Sequence, residues 1–131
     1  MRMILSIIAA VLLPTIAKAE CWVAGNITGR SASAFENFSF DDDGFPAMLI
    51  CFTDEGGTVT GNDLQLVRLG PSTLIGWDAN ENGLEVVNTY QLDRERGKLL
   101  ITQSRIGTAS ITSLLPDYAA VFVGDAKPAP R

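Results

Sequence analysis

The sequence predicts an all-β domain: a single small antiparallel β-barrel or sandwich of seven or eight strands, carrying one disulfide. Three observations lead there. Short runs rich in β-branched and aromatic residues recur at a spacing of about 8–14 residues. Clusters of Gly, Asn and Asp punctuate them, as tight turns require. Several runs carry apolar side chains on both faces, which favours a closed barrel or a two-sheet sandwich over one exposed sheet.

Taken in order, residues 21–28 alternate imperfectly and read as a first strand. Residues 30–45 are less regular and read as a long loop, with a short strand near 38–40 or a helical turn near 31–36. Pro46 opens an apolar run over 47–53, with Met48, Ile50 and Phe52 on one side. Residues 55–57 form a turn and 58–60 a short strand. Strands follow over 64–69, ended by Gly70-Pro71, and 72–77, ended by a turn over 78–83. Over 84–92, Leu84, Val86, Tyr90 and Leu92 share one face, with Glu85, Thr89 and Gln91 opposite. Residues 93–97 make a hairpin loop before a strand over 98–106. Connections this short over 64–106 imply an up-and-down meander. Residues 108–115 read equally as strand or helical turn, 118–123 as a last strand, and 127–131 as a frayed tail.

The first nineteen residues read as a cleavable secretory signal. Arg2 supplies the positive start, residues 4–13 an apolar core, and Ala17-Lys18-Ala19 the small-x-small pattern before a cut at Glu20. Ten apolar residues rise only about 15 Å as a helix, half of a bilayer core of ~30 Å, so a membrane anchor is disfavoured. Glu20 stands where a lipobox needs a small residue before Cys21. A soluble periplasmic product is expected, with no membrane insertion after cleavage.

Residues 20–131 then form one domain of 112 residues. Arg2 and Lys18 leave with the signal, so eight basic side chains face fifteen acidic ones, a net charge of −7. That argues against nucleic acid or an anionic membrane as partner, since both demand positive charge. It suits a basic envelope protein. There is no His, which removes the commonest general base and transition-metal ligand. Cys21 and Cys51 form an even pair that an oxidising compartment joins.

The turn Asp78-Ala79-Asn80-Glu81-Asn82-Gly83 matches the first half of a calcium loop. Thr89 at the twelfth position cannot supply the bidentate carboxylate that such a loop needs, so a plain hairpin turn is the reading. The run Asp41-Asp42-Asp43 reads as a solvated acidic loop. Arg94, Arg96, Lys98 and Arg105 are the densest basic cluster, but Arg94 and Arg96 alternate with Asp93 and Glu95 in a near-neutral loop. Trp22 and Trp77 are expected in the core, Trp22 beside the disulfide. No nucleophile, phosphate-loop or C-x-x-C motif is present. The expectation is therefore a non-catalytic domain without cofactor or metal.

In outline, an exported, acidic, disulfide-bearing β-meander is similar to small periplasmic β-barrels such as bacterial lysozyme inhibitors and lipocalin-like binders. The likeness implies a binding role and no particular site residues. Turn loops carry function on β-domains, so recognition is expected through loops 41–45, 78–83 and 93–97. The candidate residues there are Asp41, Asp42, Asp43, Asp78, Asn80, Asn82, Arg94 and Arg96. The partner would be a basic envelope protein, such as a hydrolase it inhibits, or an apolar small molecule held inside a barrel. A structural or accessory subunit of an envelope complex, marked by a flat apolar patch, is the alternative. A His-free carboxylate hydrolase, which needs two carboxylates facing one cleft, ranks below both.

Overall fold

The computed structural model describes residues 19–107 and 115–130. Along the chain run β1 (Glu20–Ser33), a 3-10 turn (Ala34–Glu36), β2 (Phe40–Phe45), β3 (Met48–Phe52), β4 (Gly56–Val59) and β5 (Asn62–Leu69). After them come β6 (Thr73–Ala79), β7 (Glu85–Asp93), β8 (Lys98–Ile106) and β9 (Tyr118–Pro128). From β3 to β9 each strand pairs antiparallel with the next, and β9 returns to pair with β1. The result is a closed eight-stranded antiparallel barrel plus one extra strand. That extra strand, β2, pairs with the second half of β1 while β3 pairs with the first half, so the two lie end to end on one edge. Pro46 between them has no N–H to give the ladder, which is why the line breaks there.

The alternation of each strand decides what fills the barrel. Phe52, Phe122, Ile50, Leu74, Leu99 and Ile101 are its largest fully buried side chains. Phe45 packs on Phe122 with ring centroids 4.6 Å apart. The seam between β1 and β9 is close enough to need glycine: a Cβ on Gly29 would stand 1.9 Å from the Val121 carbonyl oxygen. Cys21 and Cys51 face each other across β1 and β3 and are joined as a disulfide. Closing a loop with a sequence separation of 30 stabilises the domain by about 3–4 kcal/mol in the chain-entropy picture.

The barrel has two unlike ends. One, the closed end, carries the turns after β3, β5 and β7 together with Glu20 and Pro128. It is sealed by Phe52, whose ring lies under the guanidinium groups of Arg94 at 5.3 Å and Arg68 at 5.4 Å. The other end carries the 3-10 turn, the turns after β4 and β6, and the connection from β8 to β9.

Several expectations need correction. The acidic run 41–43 is not a loop but part of β2, because the outer half of β1 is left unpaired by β3 and takes a partner there. β1 runs on to Ser33, past a bulge between Gly25 and Thr28. The tail does not fray from Lys127: Lys127 pairs with Val23, Pro128 with Trp22, and Ala129 N–H donates to the Cys21 carbonyl at 2.9 Å. Trp77 is not core; it is 56% exposed on the outer wall, since its position on β6 alternates with the inward Leu74 and Gly76. Trp22 is half-buried against the core, its indole N–H donating to Glu20 at 2.8 Å. The expected signal segment up to Lys18 and the ambiguous stretch 108–114 lie outside the described residues. No described helix is long and apolar enough to cross a membrane.

Candidate binding site at the open end

On β7 the inward face reads Val86, Asn88, Tyr90, Leu92, and on β8 it reads Leu99, Ile101, Gln103, Arg105. Apart from Val86, the apolar members sit at the middle and closed end. Toward the other end the inward positions turn polar, and the packed core gives way to an open pocket of about 310 Å³. Asn88 and Gln103 stand opposite each other in register on its wall. Tyr90 forms the floor; its ring is buried, and its hydroxyl accepts from Asn62 Nδ2 at 2.7 Å. Asn62 is fixed in turn, because its Oδ1 accepts the Leu64 N–H at 2.9 Å. Across the mouth, Phe45, Pro46, Ala47 and Met48 form an apolar wall where β2 breaks into β3.

Above the pocket, Asp43 accepts from the Tyr118 hydroxyl at 3.2 Å. Burial first, and then the Asp43 charge, raise the Tyr118 pKa. Arg105 lies 5.3 Å over the Tyr118 ring and donates to the Pro116 carbonyl at 3.1 Å. Further out, Asp41 raises the pKa of Glu36 through a shared hydrogen bond and like charge. This carboxylate pair stands in solvent on the rim, outside the pocket.

The charges are sorted between the two ends. The open half holds Glu36 with Asp41, Asp42 and Asp43, then Asp63, then Asp78, Glu81 and Glu85 around the turn after β6, and Asp117 before β9. Among the described residues, only Arg30 and Arg105 stand against those nine carboxylates. The closed half is nearly balanced: Glu20, Asp54, Glu55, Asp93, Glu95 and Asp125 against Arg68, Arg94, Arg96, Lys98 and Lys127. Lys98 pairs with Asp125 and Arg96 with Asp93. The net negative charge of the described residues therefore lies almost wholly in the half that holds the pocket, with Asp63 on the pocket itself.

Three phenylalanines stand at the same end of the barrel, on the 3-10 turn, the loop after it and the start of β2. Phe35, Phe38 and Phe40 are each more than half exposed. Asn37 and Phe38 adopt left-handed backbone angles, φ 53° and 58°, a conformation that is uncommon for a bulky residue. The loop is nonetheless held, by Phe38 N–H to the Ser33 carbonyl at 2.9 Å and Ala34 N–H to the Asp117 carbonyl at 2.9 Å.

The residues singled out from sequence thus divide. Asp41, Asp42, Asp43, Asp78, Asn80 and Asn82 belong to the open half; Arg94 and Arg96 belong to the closed one. Arg94 grips Glu20 with two nitrogens, at 2.7 and 2.9 Å, and also donates to Ser72 and the Pro71 carbonyl. Asn80 Oδ1 accepts the N–H groups of Asn82 and Leu84 at 3.0 and 3.1 Å, so the turn itself uses that oxygen. Sequence reading missed Asn62, Asn88 and Gln103. For two of them the signal was available: Asn88 on β7 and Gln103 on β8 are amides that continue an apolar inward face. No protein-family model, no curated protein and no solved structure matches this chain.

Proposed function

We propose that the domain is an exported, non-catalytic binding module whose open end docks a basic envelope or secreted protein. The observation that carries this reading is the segregation of charge: nine carboxylates crowd the end that also holds the pocket. Acidity kept only for solubility would be spread over both ends. A one-signed surface steers a cationic partner and raises its association rate. Phe35, Phe38 and Phe40 add the aromatic anchors on which protein interfaces concentrate their binding energy. The filled barrel centre favours this over an apolar guest inside, and an inhibitor of a basic hydrolase is its narrower form. The disulfide fits an oxidising compartment such as the periplasm.

Capture from a cell-envelope extract tests it, with the wild-type domain and an Asp41→Asn/Asp42→Asn/Glu81→Gln variant as baits. Basic proteins should bind the wild type and be lost from the variant. They should also be lost in about 0.5 M salt, where the Debye length is roughly 4 Å. Equal retention by both baits, or retention of acidic proteins, refutes the reading.

The accessory-subunit reading draws support from a different feature, the exposed Trp77 beside Val87 on the outer wall, with Val67 and Ile75 adjoining in register. A Trp77→Ser bait that loses the captured proteins, while the acid-neutralised bait keeps them, would favour it.

A further inference from the structure

The pocket at the mouth has a chemistry of its own. One wall is aliphatic and aromatic, made by Phe45, Pro46 and Met48; the other offers the amides of Asn88 and Gln103 above the Tyr90 hydroxyl. Among the described residues neither of those two amides makes a side-chain hydrogen bond, whereas Asn62 and Tyr90 are tied to each other. No cationic side chain lines the space, and Asp63 stands at its lip. Its volume, about 310 Å³, is at the small end of the range for ligand pockets.

Each class of guest meets these walls differently. An anion would face Asp63, Asp43 and the carboxylates above them. A purely apolar guest would strip water from amide groups and leave them unpaired, which costs free energy. A guest with a methylene stem and a cationic head satisfies both walls. The stem covers Phe45 and Met48, and the head meets the amide oxygens in the field of the surrounding carboxylates. We propose that this pocket is a binding site for an alkylammonium group, delivered either by a lysine side chain of a partner protein or by a free polyamine. The proposal rests on the open end being a cation-docking surface, and adds which atoms read the cation.

The test is an amide-resolved NMR titration of the domain comprising residues 20–131, with spermidine in one arm and a short lysine peptide in the other. Maltose and a norleucine analogue of the peptide serve as neutral probes. Either amine should move the side-chain amide signals of Asn88 and Gln103 and the backbone signal of Gly61. Response to the peptide alone identifies a protein side chain as the source; response to spermidine alone identifies a free amine. Ala47→Trp, which fills the mouth from an exposed position, should weaken binding about tenfold or more, the equivalent of losing roughly 1.4 kcal/mol. Asn88→Leu/Gln103→Leu should do the same if the filled variant fails to fold.

Shifts confined to residues 41–43 and 81–85, unchanged by both variants, overturn the proposal. So does tighter binding of maltose than of either amine. Basic proteins still captured by the wild type but not by the acid-neutralised bait would then leave the docking function standing without this pocket. Loss of both responses would remove the two together.

Discussion

Among single residues, Arg94 contributes far more to the fold than to any surface. It lies in a loop whose alternating signs read as solvated, yet it bridges Glu20, Ser72 and Pro71 and covers Phe52. Nothing in the local sequence could reveal this, because Glu20 is 74 residues away. The Arg94 hydrogen bonds, helped by Trp22, lower the Glu20 pKa from 4.5 to about 2. A carboxyl whose pKa falls on folding stabilises the native state when ionised. Its contribution is complete above 4.5 and disappears as pH drops from there toward about 2. Both side chains are part-exposed, 31% and 42%, so solvent screening holds the effect to about 1 kcal/mol. Denaturant melts should therefore show Glu20→Gln destabilised near neutral pH but matching the wild type in strong acid. A constant gap across that window would mean the carboxylate charge is not the cause. Asn88 and Gln103 are the opposite case at this scale. Both were legible as polar residues on inward faces, and their importance became visible only when the pairing of β7 with β8 set them opposite each other.

Elements with clean period-two alternation could be read directly. β8 has the bounds its pattern predicts, and β5, β6 and β7 differ by a residue or two. β2 could not be read this way, because three consecutive aspartates hide its alternation. It is a strand only because β1 offers a free edge, and that is a tertiary fact. The C-terminal extension of β9 is hidden for the same reason: Pro128 is no strand former, and it pairs because β1 lies beside it. The turn from Asn80 to Leu84 is local, and local signals sufficed. Asn80 N–H donates to the Leu84 carbonyl, Gly83 N–H returns to the Asn80 carbonyl, and Gly83 takes the left-handed angle, φ 84°, that favours glycine. Asn80→Ala deletes the oxygen that accepts two backbone N–H groups. It should cost about 1 kcal/mol, read as a lower melting temperature. Adding calcium should leave the wild-type melting temperature unchanged, because that oxygen is already taken. A calcium-dependent rise that Asn80→Ala abolishes would return the turn to the role of a cation loop.

For the whole molecule, the decisive features are non-local. The meander was legible, and so was a closed barrel with a sandwich as its alternative; which strands meet to close it was not, because nothing in the chain announces that β9 pairs with β1. Closure is also what gathers the carboxylates. Glu36, Asp41 to Asp43, Asp63, Asp78, Glu81, Glu85 and Asp117 are scattered along the sequence and share one half of the barrel only once the strands are wound. The arrangement opposes folding, because like charges held together repel more strongly in the native state than in the open chain. The raised pKa of Glu36, due first to a hydrogen bond shared with Asp41 and then to its like charge, is a local sign of that crowding. If the charge is kept for binding, stability and docking should move in opposite directions when it is removed, the trade-off expected of functional surfaces. Asp41→Asn/Asp42→Asn/Glu81→Gln should therefore melt higher than the wild type at low salt. Each 1 kcal/mol of relieved repulsion should raise the melting temperature of a domain this size by about 4 °C. Added salt should raise the wild type toward the variant and change the variant little, since screening and neutralisation remove the same repulsion. The same variant is the bait expected to lose basic partners. A variant that melts lower than the wild type, with the gap unaltered by salt, would make these carboxylates structural. The charge segregation would then lose its functional meaning.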